Sequence, residues 1–101
     1  MTYILTRPAA RDIDSICSHV SRDSRQAAEN VALHFADAFE LLAANPGIGH
    51  RRDELRDREL RVWVVHSYLI IYDPSQSPIV ILRVVHGARE LQNLSRDIEP
   101  V

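Results

Sequence analysis

The apolar run from Ile79 to His86 constrains the fold of this chain more than any other feature. Its sequence is Ile-Val-Ile-Leu-Arg-Val-Val-His, and Pro78 and Gly87 bound it. Such a short, β-branched segment indicates a strand that is buried on both faces of a sheet. Because side chains alternate along a strand, one face is predicted to carry Ile79, Ile81, Arg83 and Val85, and the other Val80, Leu82, Val84 and His86.

Arg83 is the one charged residue in this run. A cation inside a strand costs several kcal/mol unless it is paired or reaches water. Arg83 is therefore predicted to be either half of an ion pair or the floor of a polar site.

Composition predicts one globular domain over residues 1–101, since 46% of the residues are hydrophobic. No apolar run is long enough to span a bilayer, and the first residues lack the form of a signal peptide. We therefore expect a cytoplasmic protein without membrane association. The single cysteine, Cys17, excludes an internal disulfide and is predicted to lie in a helix core. The net charge of −2 argues against a protein held by phosphates, so sequence-specific nucleic-acid binding is not expected.

The first half of the chain predicts a short strand and two helices. Tyr3-Ile4-Leu5 is the strand candidate, and Thr6 is predicted to cap a first helix over about Arg7 to Val20. Its apolar stripe faces the core, while Arg11, Asp12 and Asp14 are predicted to face away.

The second helix is predicted to begin at a capping box formed by Asp23 and Gln26 and to end at Asn45-Pro46-Gly47. Leu33 and Leu41 lie off its buried stripe, which predicts apolar surface on a second side. The stripe itself comprises Ala28, Val31, Ala32, Phe35, Ala38, Phe39 and Leu42.

The second half predicts three antiparallel strands and a short helix. Residues 47–59 are polar and are predicted to form an irregular loop, either solvated or used for binding. Strands are predicted at Leu60–His66, Tyr68–Tyr72 and from Ile79, with the first strand as the other neighbour of the last. A final helix is predicted over Ala88 to Ile98.

These elements predict an α+β fold in which an antiparallel helical hairpin packs on one face of a small antiparallel sheet. The order is β-α-α-β-β-β, followed by the short C-terminal helix. The other face of the sheet is predicted to lack a cover from this chain. A bare face and an unpaired edge can accept another polypeptide, as an added strand or as a helix in a groove.

Four segments together resemble the RelE/ParE superfamily of toxins from bacterial type II toxin–antitoxin systems. They are the early Pro8-Ala9-Ala10-Arg11-Asp12-Ile13-Asp14-Ser15-Ile16, the helix exit Leu42-Ala43-Ala44-Asn45-Pro46-Gly47-Ile48-Gly49, the strand Tyr68-Leu69-Ile70-Ile71-Tyr72 and the closing Ile81-Leu82-Arg83-Val84-Val85-His86-Gly87-Ala88-Arg89. The superfamily's fold, a helical hairpin on an antiparallel sheet, agrees with the fold that the periodicities predict.

The resemblance implies one of two functions. ParE-like members are protein ligands of DNA gyrase that trap the enzyme on cleaved DNA, without catalysis of their own. RelE-like members are ribosome-dependent mRNA endoribonucleases. Both are neutralised in a hetero-oligomeric complex by a cognate antitoxin, which would be ParD-like here. The closing Val84–Arg89 segment is similar to the ParE-like pattern, which makes gyrase inhibition the first expectation.

Candidate site residues differ between the two functions. As a ribonuclease, the chain would use Arg61, Arg83 and His86 as the acid, the base and the cations for phosphate; as a ParE-like toxin it has no catalytic residue. The ParE-like alternative assigns target binding to Arg83, His86 and Arg89, with Arg83 alternatively a structural cation.

Antitoxin binding is assigned to Leu33 and Leu41 of the second helix and to Arg61 and Trp63 of a strand, the last two having core packing as their alternative. The five histidines lack metal-ligand spacing, and the chain has no glycine-rich phosphate loop. We therefore expect no metal and no cofactor.

Overall fold

The computed structural model describes residues 3–55, 57 and 59–87. Its elements in chain order are β1 (Tyr3–Leu5), α1 (Arg7–Ser21), α2 (Arg25–Ala44), a 3-10 turn (Pro46–Ile48), β2 (Arg61–Val65), β3 (Tyr68–Asp73) and β4 (Ile79–His86). This confirms the predicted α+β order up to β4. The predicted helix over Ala88 to Ile98 lies outside the described residues.

Both helices begin at hydroxyl caps. The Thr6 hydroxyl accepts a hydrogen bond from the Ala9 N–H at 3.2 Å and so caps α1, as predicted. The prediction for α2 was wrong by one residue, because Ser24 and not Asp23 is its N-cap. The Ser24 hydroxyl accepts from the Ala27 N–H at 3.0 Å, which places the turn between the two helices at residues 22–24.

The sheet has the strand order β1-β4-β3-β2. The prediction that β1 neighbours β4 is confirmed, but the sheet is mixed and not purely antiparallel. β1 runs parallel to β4, with Tyr3 opposite Ile79 and Leu5 opposite Ile81. The pairs β2–β3 and β3–β4 are antiparallel, as the short connections between them require.

A β-bulge in β4 changes the predicted faces of that strand. Tyr72 pairs with Ile81, whereas Ile71 pairs with Arg83, so Leu82 is an extra residue without its own partner. The bulge reverses the alternation, because an inserted residue shifts every later side chain by one position. The predicted face of Ile79, Ile81, Arg83 and Val85 was therefore wrong: Val84 joins Ile79 and Ile81 in one cluster, and Val85 lies in another.

The main core lies between the helical hairpin and the face of the sheet beneath it, which we call the helix face. Phe35, Phe39 and Leu42 of α2 are at most 2% exposed there. They pack with Ile70, Tyr72, Ile79, Ile81 and Val84 of the sheet. This burial of aromatic and branched side chains supplies the main stabilisation of the fold.

We call the opposite face of the sheet the second face. The prediction that this face is bare was wrong. Leu55 and Leu60 from the 47–60 segment pack there with four strand residues and are 4% and 3% exposed. The strand residues are Val62, Leu69, Ile71 and Val85. The segment before β2 therefore supplies two apolar side chains that cover the middle of the second face. Leu55 lies in the predicted irregular loop, and Leu60, predicted as the first strand residue, precedes β2.

No helix within the described residues is long and apolar enough to cross a membrane.

Candidate interaction surfaces

Arg83 forms a bidentate ion pair with Asp12 of α1. The Arg83 Nε donates to Asp12 Oδ2 at 2.7 Å, and Nη2 donates to Oδ1 at 2.9 Å. The two side chains are 25% and 16% exposed. Arg83 is thus half of a largely buried ion pair, one of its two predicted roles. The prediction that Asp12 faces away from the core was wrong.

The position of this ion pair follows from where β1 ends. Beyond Leu5 the chain leaves the sheet and enters α1. At this point the Thr6 N–H donates to the Ile81 carbonyl at 3.1 Å, and the Thr6 hydroxyl donates to the Leu82 carbonyl at 2.9 Å. Further along β4, the Val84 N–H donates to Asp12 Oδ2 at 2.9 Å. Because β1 has ended before this position, the Asp12 carboxylate accepts the hydrogen bond that a strand carbonyl would otherwise accept. A buried N–H without an acceptor is costly.

Arg61 is engaged by the segment that follows α2. Its Nη1 donates to the Gly49 carbonyl at 2.8 Å and to the Gly47 carbonyl at 3.2 Å. The Tyr72 hydroxyl donates to the Pro46 carbonyl at 2.7 Å and accepts from the Gly49 N–H at 2.9 Å. Together these bonds fasten residues 46–49 to the sheet.

Burial raises the pKa of the Tyr72 phenol, although the Gly49 N–H and the Arg61 charge act in the opposite direction. Tyr72 therefore stays a neutral hydrogen-bond donor at physiological pH.

The three residues of the ribonuclease alternative do not meet at one point, because Arg61 lies apart from the other two. Arg61 pairs with Tyr72 and His86 pairs with Tyr68 across the sheet. With 3.3 Å per residue and 4.8 Å between strands, their Cα atoms are about 16 Å apart. Arg83 pairs with Ile71, a residue of the second face, whereas the Arg61 partner Tyr72 lies on the helix face. By this register, Arg61 and Arg83 lie on different faces of the sheet.

His86 is exposed at the end of β4. Its ring centroid lies 5.2 Å from that of Tyr68, at an interplanar angle of 49°. Asp12, Ser15, Ile16 and Arg83 to His86 line a shallow cavity of about 310 Å³ between α1 and this end of β4. Arg89 lies outside the described residues, so its target-binding role stays a prediction.

Leu33 and Leu41 are exposed on α2, as predicted from their place off the buried stripe. Their exposed fractions are 62% and 43%. Trp63 of β2 packs partly buried against the main core, and its ring stacks on His50 with centroids 6.3 Å apart. Of the four residues assigned to antitoxin binding, the two leucines therefore offer free apolar surface, while Arg61 and Trp63 make contacts within the chain.

Further apolar surface lies at the two outer strands of the sheet. Ile4 and Leu5 of β1 are 47% and 38% exposed, and Val64 of β2 is 51% exposed. The start of β2 has one added pairing, because His50 and Val62 exchange both backbone hydrogen bonds at 2.8 Å. The second face is thus covered in its middle and apolar toward both edges.

The sequence did not point to Asp12 or to the contact between His34 and His66. The Nε2 atom of His66 lies 2.6 Å from Nδ1 of His34. Residues 32 positions apart carry no local signal of such proximity. Within residues 3–55, 57 and 59–87, no group of three His, Cys, Asp or Glu side chains is placed to hold a metal ion.

Comparison with known proteins agrees with this architecture. The family model described as "ParE toxin of type II toxin-antitoxin system, parDE" matches residues 3–91. Among solved structures, a chain of the "Chromosomal ParDE TA system from P. aeruginosa" is similar, with a TM-score of 0.72 and 23% sequence identity over 86% of this chain and 96% of that chain. At that identity the likeness concerns the fold. Curated protein sequences give no match.

Proposed function

The chain belongs to the family of ParE toxins of type II toxin–antitoxin systems, and on that premise we propose that it inhibits DNA gyrase by binding it. It acts in the bacterial cytoplasm as a protein ligand and traps the enzyme on cleaved DNA. A ParD-like antitoxin neutralises it in a hetero-oligomeric complex. The family match over residues 3–91 is the observation that carries this proposal.

The state of the polar side chains supports a toxin without catalysis. RNA cleavage needs an acid, a base and cations around one phosphate. Here the Arg61 guanidinium binds two backbone carbonyls, and Arg83 binds Asp12. Arg61 lies far from His86 across the sheet, and Arg83, which lines one cavity with His86, binds a carboxylate there. These contacts favour gyrase binding over the RelE-like alternative.

We assign target contact to the end of β4. His86 is exposed there and rests on Tyr68, and Arg89 follows three residues later in the sequence. Arg83 stabilises this surface indirectly, because its ion pair with Asp12 holds the C-terminal end of β4 against α1. His86 and Arg89 are the contact residues, and Arg83 positions them.

We assign antitoxin contact to α2. Leu33 and Leu41 are eight residues apart, which corresponds to about 12 Å along the helix. Asp37 is exposed and lies one turn from each. A matching antitoxin segment would carry two apolar side chains at about that spacing, with a basic side chain between them. Arg61 and Trp63 are half-buried and make contacts within the chain, and their antitoxin contact stays a prediction.

Two assays side by side test the function. Purified protein is added to gyrase with supercoiled plasmid, and separately to translating ribosomes with mRNA. We expect loss of supercoiling and accumulation of cleaved DNA, with intact mRNA. Cleaved mRNA together with unaffected gyrase would reverse the proposal.

Variants of α2 test the antitoxin surface. We expect Leu33→Glu and Leu41→Glu each to weaken antitoxin affinity by tenfold or more, because a charge replaces a buried apolar contact. Ala10→Glu introduces the same charge at an exposed position of α1 and is the matched control. Equal affinities for all three variants would exclude α2 as the antitoxin surface.

A further inference from the structure

Two exposed histidines from distant parts of the chain meet at the surface. His34 lies on α2, and His66 lies in the connection between β2 and β3. Nε2 of His66 is 2.6 Å from Nδ1 of His34, with ring centroids 4.6 Å apart and an interplanar angle of 40°. The two rings therefore meet almost edge to edge through one nitrogen each.

The backbone holds His66 in place for this contact. Residues 66 and 67 alone join β2 to β3, and the Val65–Tyr68 pair closes the hairpin. His66 has φ of +55°, the left-handed region. Two-residue hairpins favour Asn, Asp or Gly at such a position. Histidine also tolerates this region, and the ring of His66 is directed at α2.

The nitrogen pair has a simple proton requirement. Neutral imidazole has one N–H and one lone pair. One of the two facing nitrogens must donate and the other accept. If the donating ring moves that proton to its other nitrogen through solvent, both facing nitrogens present lone pairs to the same point.

We propose that His34 and His66 form a binding site for a divalent transition metal ion such as Ni²⁺ or Zn²⁺. His34 Nδ1 and His66 Nε2 are the protein ligands, and water completes the coordination. Zinc–nitrogen bonds of about 2.0–2.1 Å in tetrahedral geometry place two ligand nitrogens about 3.3 Å apart. The pair must open by roughly 0.7 Å from its observed separation, which rotation of two exposed side chains supplies.

The ligand type defines which ions bind. Imidazole suits zinc, copper and nickel, whereas magnesium and calcium prefer oxygen. A bound ion would link α2 to the β2–β3 turn and so join segments 32 residues apart. It would therefore stabilise the folded chain, since a ligand that binds only the folded state raises its stability. This site does not depend on the proposed action on gyrase.

The test is metal titration of the full chain without a histidine tag. Calorimetry with NiCl₂ at neutral pH is expected to give one site, and MgCl₂ is expected to give none. A nickel concentration about fivefold above the Kd should raise the Tm by roughly 4–8 °C. A chelator should reverse the shift. No heat of binding and no shift with nickel would overturn the proposal.

Matched variants locate the site. His66→Asn keeps a residue that tolerates the left-handed turn, and His34→Gln keeps a good helix former, so both variants retain the fold. Each is expected to lose at least tenfold in nickel affinity and all of the thermal shift. His19→Gln, an exposed histidine of α1, is the control and should behave as the parent protein. Nickel binding that is equal in all three variants would overturn the assignment to His34 and His66.

Discussion

Removal of the Asp12 carboxylate tests how strongly α1 is fastened to β4. In the Asp12→Ala variant, the Arg83 guanidinium loses both of its bonds to this carboxylate, and the Val84 N–H loses its acceptor. Both charged side chains are largely buried, at 25% and 16% exposure. The variant therefore leaves a cation and an amide without these bonds in a place that water reaches only in part.

The expected loss follows from burial and from the number of bonds. Breaking a fully buried ion pair by removing one partner costs about 3–5 kcal/mol. Residual exposure of both side chains reduces this, so we expect about 3 kcal/mol for Asp12→Ala. For a domain of this size, such a loss lowers the Tm by roughly 12–24 °C. Asp12→Asn keeps one acceptor oxygen without the charge, so we expect about half of that loss.

Urea unfolding followed by circular dichroism measures the loss as a change in midpoint at constant slope. Asp14→Ala removes an exposed carboxylate two residues along the same helix and is the matched control, expected to change stability by less than about 0.5 kcal/mol. If Asp12→Ala is no less stable than Asp14→Ala, the ion pair does not fasten α1 to the sheet, and the structural role given to Arg83 is wrong.

Three further changes test other contacts. Gly49→Ala should lower the free energy of unfolding by about 1–3 kcal/mol, because the added Cβ would lie 2.7 Å from Cε1 of Tyr72; unchanged thermal stability would contradict this. Tyr72→Phe should cost about 1–3 kcal/mol by denaturant unfolding, since the Pro46 carbonyl and Gly49 N–H lose a buried partner; a loss under 0.5 kcal/mol would refute the fastening role. Burial opposes ionisation of Asp73, but bonds from the Ser75 hydroxyl, the Gln76 amide and the Ser75 N–H outweigh it and lower its pKa. Ionised Asp73 therefore adds stability above the unfolded carboxyl pKa of about 4, and this is lost as pH falls through the lower folded pKa. The stability difference between the parent protein and Asp73→Asn should shrink from pH 6 to pH 2, and a constant difference would contradict this.

The order of elements could be predicted because helix and strand periodicities are local. Tyr68–Asp73 and Ile79–His86 form strands close to the predicted bounds, and the exposure of Leu33 and Leu41 followed from the helical spacing of their neighbours. The alternatives for Arg83 followed from the cost of a buried cation alone. Each of these predictions required only the residues within one element.

Pairing between distant elements could not be predicted in the same way. The parallel direction of β1 beside β4 and the bulge at Leu82 depend on how the sheet closes around the helices. Asp12 was placed on the solvent side because a helical wheel shows only that it lies off the apolar stripe. The Val84 N–H, which donates to the Asp12 carboxylate, belongs to another element.

The cover of the second face was missed for a related reason. Leu55 stands alone among charged residues in the sequence, so residues 47–59 show no periodicity and predict only an irregular loop. Leu60 is predicted to begin the next strand, so neither leucine signals a cover for the second face. Both leucines nevertheless form one buried cluster with four strand residues. Exposed apolar surface for a partner therefore lies at the two outer strands, where Ile4 and Val64 are exposed, and on α2.

Formation of cleaved gyrase–DNA complexes tests the central claim most directly. Purified protein is titrated into gyrase with plasmid, the reaction is stopped with detergent and protease, and linear DNA is measured. We expect linear DNA to rise with protein concentration, to fall when His86 and Arg89 are replaced by Ala, and to disappear with added antitoxin. Linear DNA that stays at the level of gyrase alone at every concentration of the folded protein would contradict the proposed function.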